Sequence, residues 1–112
     1  MTPEDRDRLE HIAEAIDRIT DYAAAGEAVF MSETMRQDAV IRNLEILGGA
    51  AGRLSTELRA RHDEVPWSAL VAHRNVLIHD YRRLVLGLVW RVVTEDIGPL
   101  RSAVASILEG DT

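Results

Sequence analysis

Behind Thr2-Pro3-Glu4-Asp5, apolar side chains return every three or four residues, at Leu9, Ile12, Ala13, Ile16, Ile19 and Ala23, with Asp and Arg between them. That period is one face of a 3.6-residue helix and not the two-residue alternation of a half-buried strand. The start is written as clearly: Thr2 suits the N-cap, Pro3 the first helical position, and Asp5 stands three residues after the cap. The stripe predicts a first helix to about Gly26, with His11 beside it on the surface.

The same period predicts a second, longer helix from about Ser32 to Arg61, buried through Val40, Ile41, Leu44, Leu47, Ala51, Leu54 and Leu58. Gly48, Gly49 and Gly52 fall inside it, and each glycine costs about 1 kcal/mol against alanine in a helix interior. Close approach of another helix explains them. Arg42, Asn43 and Glu45 read as a solvated face. After the polar connection Arg61-His62-Asp63-Glu64-Val65, Pro66 starts a third helix from Trp67 to about Ile78, and Asp80 to Arg83 form a short joint. From Leu84 the fourth helix is apolar over most of its circumference, which predicts a part in a subunit interface. Gly98-Pro99 then breaks it, leaving Leu100 to Glu109 as a terminal segment.

The expected fold is therefore an all-α, four- to five-helix up-and-down bundle in one domain, residues 1–112. Aromatic residues are only 4% of the chain and Asn-Gly or Asp-Gly hairpin turns are absent, in keeping with that class. The absence of cysteine excludes disulfides, thiolate nucleophiles and cysteine zinc sites. The longest apolar run, Leu84 to Trp90, is too short to cross a bilayer, so a soluble, cytoplasmic protein with no membrane partner is expected. A net charge of −6 argues against a general nucleic-acid coat, but the charge is uneven. Residues 1–66 set 8 Arg against 14 acids, whereas between His73 and Arg91 there are 4 Arg and Asp80 alone. That local excess suits phosphate.

Within it lies Val71-Ala72-His73-Arg74-Asn75-Val76-Leu77-Ile78-His79-Asp80-Tyr81, polar groups threaded through an apolar helical pattern. Arg74 falls near the middle of the face that should be buried, where a guanidinium needs a partner or an anion. His79 follows by five residues, about 140° around a continuous helix and roughly 7.5 Å along it, so the two would not share a face. Either the helix ends and His79 swings back, or a second copy of the chain completes the pair across a symmetric interface, or both.

There is no Gly-rich phosphate loop and no Glu-x-x-His pair, so no metal or cofactor is expected, and metal-free acid–base chemistry remains. An imidazole titrating near pH 6.5 passes protons at neutrality, and an arginine neutralises a pentacovalent phosphorane. Together they suit attack of an RNA 2′-hydroxyl on its own phosphate. Asn75 and Tyr81 are candidates for holding the substrate or the imidazole. On spacing alone, His79 also fits a helix C-terminus favoured by the dipole, Tyr81 fits a core position, and His73 is structural or substrate-proximal.

The run Arg74-Asn75-Val76-Leu77-Ile78-His79-Asp80-Tyr81 resembles the Arg-x4-His-x-Tyr motif of HepT-like toxins in the HEPN ribonuclease superfamily. Arg42-Asn43-Leu44-Glu45-Ile46-Leu47-Gly48 resembles that family's second helix, and Val89-Trp90 with Thr94-Glu95-Asp96-Ile97-Gly98-Pro99-Leu100 its last. The resemblance implies a homodimer joined through the motif helices, whose two motifs share a cleft that cuts RNA without metal. It assigns Arg74 and His79 as the catalytic pair, with Asn75 supporting them; His73 is expected near the substrate from its own place in the run, and Arg82 and Arg83, where the chain departs from the family, as added phosphate contacts. It also implies the toxin role of a type VII toxin–antitoxin system, silenced when a MntA-like nucleotidyltransferase transfers AMP to Tyr81. A bulky anion there blocks RNA and repels its phosphates. The other implied role is a non-catalytic HEPN binding module whose tyrosine is the acceptor in a signalling pair. The chain departs from the family in Gly48-Gly49-Ala50, often Gly-Glu-Ala, and in Arg82-Arg83, often an aromatic-Gly pair.

Overall fold

Hydrogen-bonded helical turns account for most of the described residues. The structure, a computed structural model, describes residues 1–79 and 85–110. The expected joint at Asp80 to Arg83, and with it Tyr81, Arg82 and Arg83, lies outside the described residues. Among the described residues there are seven helices and no strand: α1 (Pro3–Ala23), α2 (Glu27–Ser32), α3 (Thr34–Gly52), α4 (Thr56–Arg61), α5 (Trp67–His79), α6 (Leu86–Glu95) and α7 (Ile97–Gly110). The all-helical class is as expected, and α2 and α4, of 6 residues each, are additions to five longer helices. None of the described helices is long and apolar enough to cross a membrane.

α1 begins as its sequence dictates, with Thr2 Oγ1 accepting from Asp5 N at 3.0 Å and Pro3 in the first turn. Its apolar stripe delivers Leu9, Ile12, Ile16 and Ile19 to the core, none more than 1% exposed. α3 is the central element, packing extensively along both α1 and α5, while α7 closes the core with Leu100, Val104 and Ile107.

The expected long second helix is instead two helices broken at residues 53–55. Ser55 adopts an extended conformation and N-caps α4, its Oγ accepting from Leu58 N at 3.2 Å. The buried Asp5 carboxylate accepts from Ser55 N at 2.9 Å and from Ser55 Oγ at 2.5 Å, so the first turn of α1 pins the break. Arg59 then donates to the carbonyls of Gly52 and Leu54, which the end of α3 leaves without intrahelical partners. An apolar stripe that continues across a break conceals it, because Leu54 and Leu58 are buried on either side.

Two further boundaries differ. α2 exists because Phe30 is fully buried against Trp90, ring centroids 5.1 Å apart, and because Gln37 Nε2 satisfies the Phe30 and Met31 carbonyls. Gly26, with φ of 96°, starts it in a conformation open to glycine. The last break falls at Asp96 and not at Gly98-Pro99. Proline is tolerated in the first turn of α7, where its missing N–H has no intrahelical acceptor to satisfy.

Candidate functional site

α5 carries the Arg-x4-His motif and is held at both ends by apolar anchors, Trp67 at 4% exposure and Leu77 at 0%. Trp67 also donates its indole N–H to the His62 carbonyl at 2.9 Å, fixing where the helix starts. Between these anchors α5 lies directly on the glycines of α3. A β-carbon at Gly48 would stand 2.4 Å from Arg74 Cβ and 2.8 Å from the Leu70 carbonyl oxygen, and one at Gly52 would stand 3.4 Å from Val71 Cγ2. The close helix approach predicted by the glycines is thus at Gly48, and what it admits is the stem of Arg74.

Arg74 is accordingly not sunk in the apolar core, as its place in the pattern suggested. It is half-buried, its methylenes crossing Gly48 and its Nε 3.7 Å from the position a β-carbon would take at Gly49. The aliphatic stem is covered while the charged head stays accessible, so the charge need not be desolvated. Nη1 donates to Asn75 Oδ1 at 3.3 Å, and no carboxylate pairs with the guanidinium among the described residues. Asn75 thereby stands beside the Arg74 guanidinium.

His79 is the last residue of α5, exposed, and still helical. Five positions of α-helix separate it from Arg74, and no hydrogen bond joins them. The two motif side chains therefore project from one helix in different directions, and no return of His79 toward Arg74 occurs within α5. On the same helix Val76 (49% exposed) and Ile78 (40%), and farther along the chain Val85 (58%) and Leu88 (58%), leave apolar surface in water.

The guanidinium of Arg74 opens into a cleft of about 250 Å³ between α1, α3 and α5. Arg8 and His11 line it from α1, Arg42, Glu45 and Gly49 from α3, Arg53 from the end of α3, and Ile78 from α5. Arg42 reaches Glu45 Oε2 at 3.4 Å. Every basic side chain in the cleft other than His11 is arginine, and the 13 Lys and Arg residues of the chain are all arginine.

Arg8, His11 and Arg53 lie outside the expected site residues, and Arg42 and Glu45, on the face expected to be solvated, line the cleft as well. Their signal was present as a polar stripe, since residues 42, 45, 49 and 53 recur at helical spacing and His11 follows Arg8 by three. Asn43 leaves that face altogether. It is 6% exposed, donates Nδ2 to the Ala39 carbonyl at 2.8 Å, and has a buried Oδ1 without a partner.

His73, one position before Arg74, lines a different cavity. That cavity, about 560 Å³ and mostly apolar, is bounded by Leu44 and Leu47 of α3, Leu70 of α5, Val92 of α6, Asp96 at the break and Leu100 of α7. Burial pushes the His73 imidazole below its ordinary range, and the Asp96 carboxylate only partly offsets this. The structure does not bring His73 into the arginine cleft. No three His, Asp or Glu side chains gather as a metal site among the described residues.

Comparison with known proteins gives this arrangement a context. The sequence model of a family described as "Ribonuclease HepT-like" matches residues 12–107. The chain is 36% identical over 97 residues to the "Probable ribonuclease HepT" of Thermococcus cleftensis, covering 86% of this chain and 88% of that protein. It is 38% identical over 102 residues to the "Gamma-glutamylcyclotransferase and putative RNase" of Methanocaldococcus jannaschii; the match takes in 90% of this chain and 46% of that longer protein. A "Putative RNase" of Caldanaerobacter subterraneus is 32% identical over 80 residues, 71% of either chain. No solved structure matches the chain.

Proposed function

Because this chain belongs to the ribonuclease HepT-like family, we propose that it is a metal-independent endoribonuclease whose active site is completed by a second copy of itself. The observation that carries the second half of this reading is the geometry of α5, which presents Arg74 and His79 about 140° apart on one unbroken helix. A symmetric partner supplies the missing neighbour for each. The exposed Val76 and Ile78 on the motif helix suit the apolar seam such a pairing needs.

In the reaction the RNA 2′-oxygen attacks the adjacent phosphorus, forming the P–O2′ bond as the P–O5′ bond breaks. The proton lost from the 2′-hydroxyl is balanced by one delivered to the departing 5′-oxygen. One imidazole, the His79 that faces Arg74 from the other copy, takes the first proton as base and returns it as acid to the departing oxygen. Arg74 stabilises the charge that grows on the non-bridging oxygens, with Asn75 holding its guanidinium. The products are a 2′,3′-cyclic phosphate and a 5′-hydroxyl.

Cleavage in excess EDTA, leaving cyclic phosphate ends and lost in His79→Ala, is the expected result. Mixing Arg74→Ala with His79→Ala tests the shared site. Recovery of part of the activity is expected from a composite site, because one intact Arg74 then faces one intact His79. No recovery from a mixture shown to exchange subunits refutes the composite site, and no cleavage by unmodified wild type refutes the nuclease reading.

The toxin role, and its silencing by AMP transferred to Tyr81 by a nucleotidyltransferase partner, form the regulatory half of the proposal. Its support is the resemblance of the motif, which carries Tyr81 two residues after His79. Co-expression with such a partner and ATP should add the mass of AMP to wild type and not to Tyr81→Phe.

A further inference from the structure

The cleft beside Arg74 is built for more than the motif requires. Among the described residues three of its arginines, Arg8, Arg53 and Arg74, pair with no carboxylate, and the one acid that lines it there, Glu45, is already engaged by Arg42. Elsewhere the chain pairs its arginines readily: Arg36 with Glu33, Arg91 with Glu95 and Arg101 with Asp17. In a protein of net charge −6, unpaired guanidinia from three helices converging on one cavity form a local field opposite in sign to the whole. Like charges gathered in this way repel, so the arrangement is completed by an anion with several acceptor oxygens.

We propose that this cleft is a backbone-phosphate subsite for single-stranded RNA, in which Arg8 and Arg53 hold the strand next to the phosphate that Arg74 addresses. The inference rests on the ribonuclease reading and extends it by naming positioning residues outside the motif. Guanidinium forks match phosphate oxygens two at a time, which fits the exclusive use of arginine. Among the described residues no ring other than His11 lines the cleft, so these residues read the strand through its phosphates and not by base stacking, and the contacts they make are sequence-tolerant. Glu45 sets an upper limit on the field.

The test uses the full chain and 2′-O-methyl oligouridylate, which lacks the attacking hydroxyl and reports binding without cleavage. For single strands each phosphate contact contributes about 0.7 to the slope of log K against log salt. Arg8→Gln with Arg53→Gln should therefore make the slope shallower by about 1.4 and weaken binding roughly 25-fold at about 0.1 M salt. Arg18→Gln with Arg61→Gln removes the same charge from exposed positions outside the cleft and should change the slope little. Glu45→Gln should tighten binding.

Equal effects of the two double variants, or none from Arg8 and Arg53, overturn the subsite. The two readings fail separately. Oligouridylate bound with the expected slope, while unmodified RNA is never cut, leaves the subsite standing without the nuclease. RNA cut normally, with binding indifferent to Arg8 and Arg53, leaves the nuclease without the subsite.

Discussion

Replacing Gly48 with alanine tests the link between helix packing and the site, because a single methyl meets two fixed parts of α5. The new carbon would stand 2.4 Å from Arg74 Cβ and 2.8 Å from the Leu70 carbonyl oxygen, neither of them the far end of a flexible side chain. Ordinary carbon contacts of about 3.5–4.0 Å require α5 to retreat by roughly 1 Å at Arg74. Alanine gains about 1 kcal/mol over glycine in a helix, and overpacking of a filled interface costs about 1–3 kcal/mol. The expected net effect is a loss of up to about 2 kcal/mol, or up to roughly 8 °C in melting temperature for a domain of this size. Gly49→Ala is the internal control. Its β-carbon would meet Arg74 Nε at an ordinary 3.7 Å, so the propensity gain of about 1 kcal/mol should appear as extra stability. Thermal and urea unfolding followed by helical circular dichroism would separate the neighbouring variants, and RNA cleavage should fall about 100-fold in Gly48→Ala alone, the usual consequence of a 1 Å misplacement. Equal stability of Gly48→Ala and Gly49→Ala would refute the argument that α3 and α5 touch at Gly48.

Two predictions concern acid. Burial raises the Asp5 carboxyl, but hydrogen bonds from Ser55, the Thr2 side chain and the nearby N-terminus outweigh it and hold Asp5 below its ordinary value. The unfolded chain then takes up this proton first, so the stabilisation is complete above about pH 3.9 and disappears as pH falls through the depressed folded value. Asp5→Ala should cost about 3 kcal/mol at neutral pH by stranding Ser55, and should flatten the acid limb of urea midpoints; an unchanged limb would count against the clamp. For His73 the folded value is lowered, chiefly by burial, so stability is whole above about pH 6.5 and declines below it until the folded imidazole also protonates. His73→Leu should remove that decline, and an NMR midpoint for His73 above about 6.5 would contradict its placement in the apolar cavity.

Helix identity was legible wherever a stripe met a start signal, as at Thr2-Pro3 and Pro66-Trp67, because cap chemistry and period are local properties. The break at Ser55 was not, since it depends on a carboxylate 50 residues away in α1. Nor was α2, whose burial depends on Trp90 of α6. At the site, the glycines announced a close approach but not its partner, and Arg74 looked buried because the period of α5 says which face points inward and not how shallow the neighbour is. The cleft arginines were visible as stripes on α1 and α3, yet only the packing of α5 across α3 shows that they surround one space. Sequence spacing identifies what shares a helix face, and tertiary contact decides which faces meet.

The all-arginine cleft also determines how this molecule responds to chemical probes. Amine-directed labels, crosslinkers and acetylating enzymes find no lysine side chain anywhere in the chain, so they leave the cleft's charge untouched. Dicarbonyl reagents that modify guanidinium groups are the matching probe. Peptide mapping after such treatment offers a footprint of Arg8, Arg53 and Arg74 in the unaltered protein.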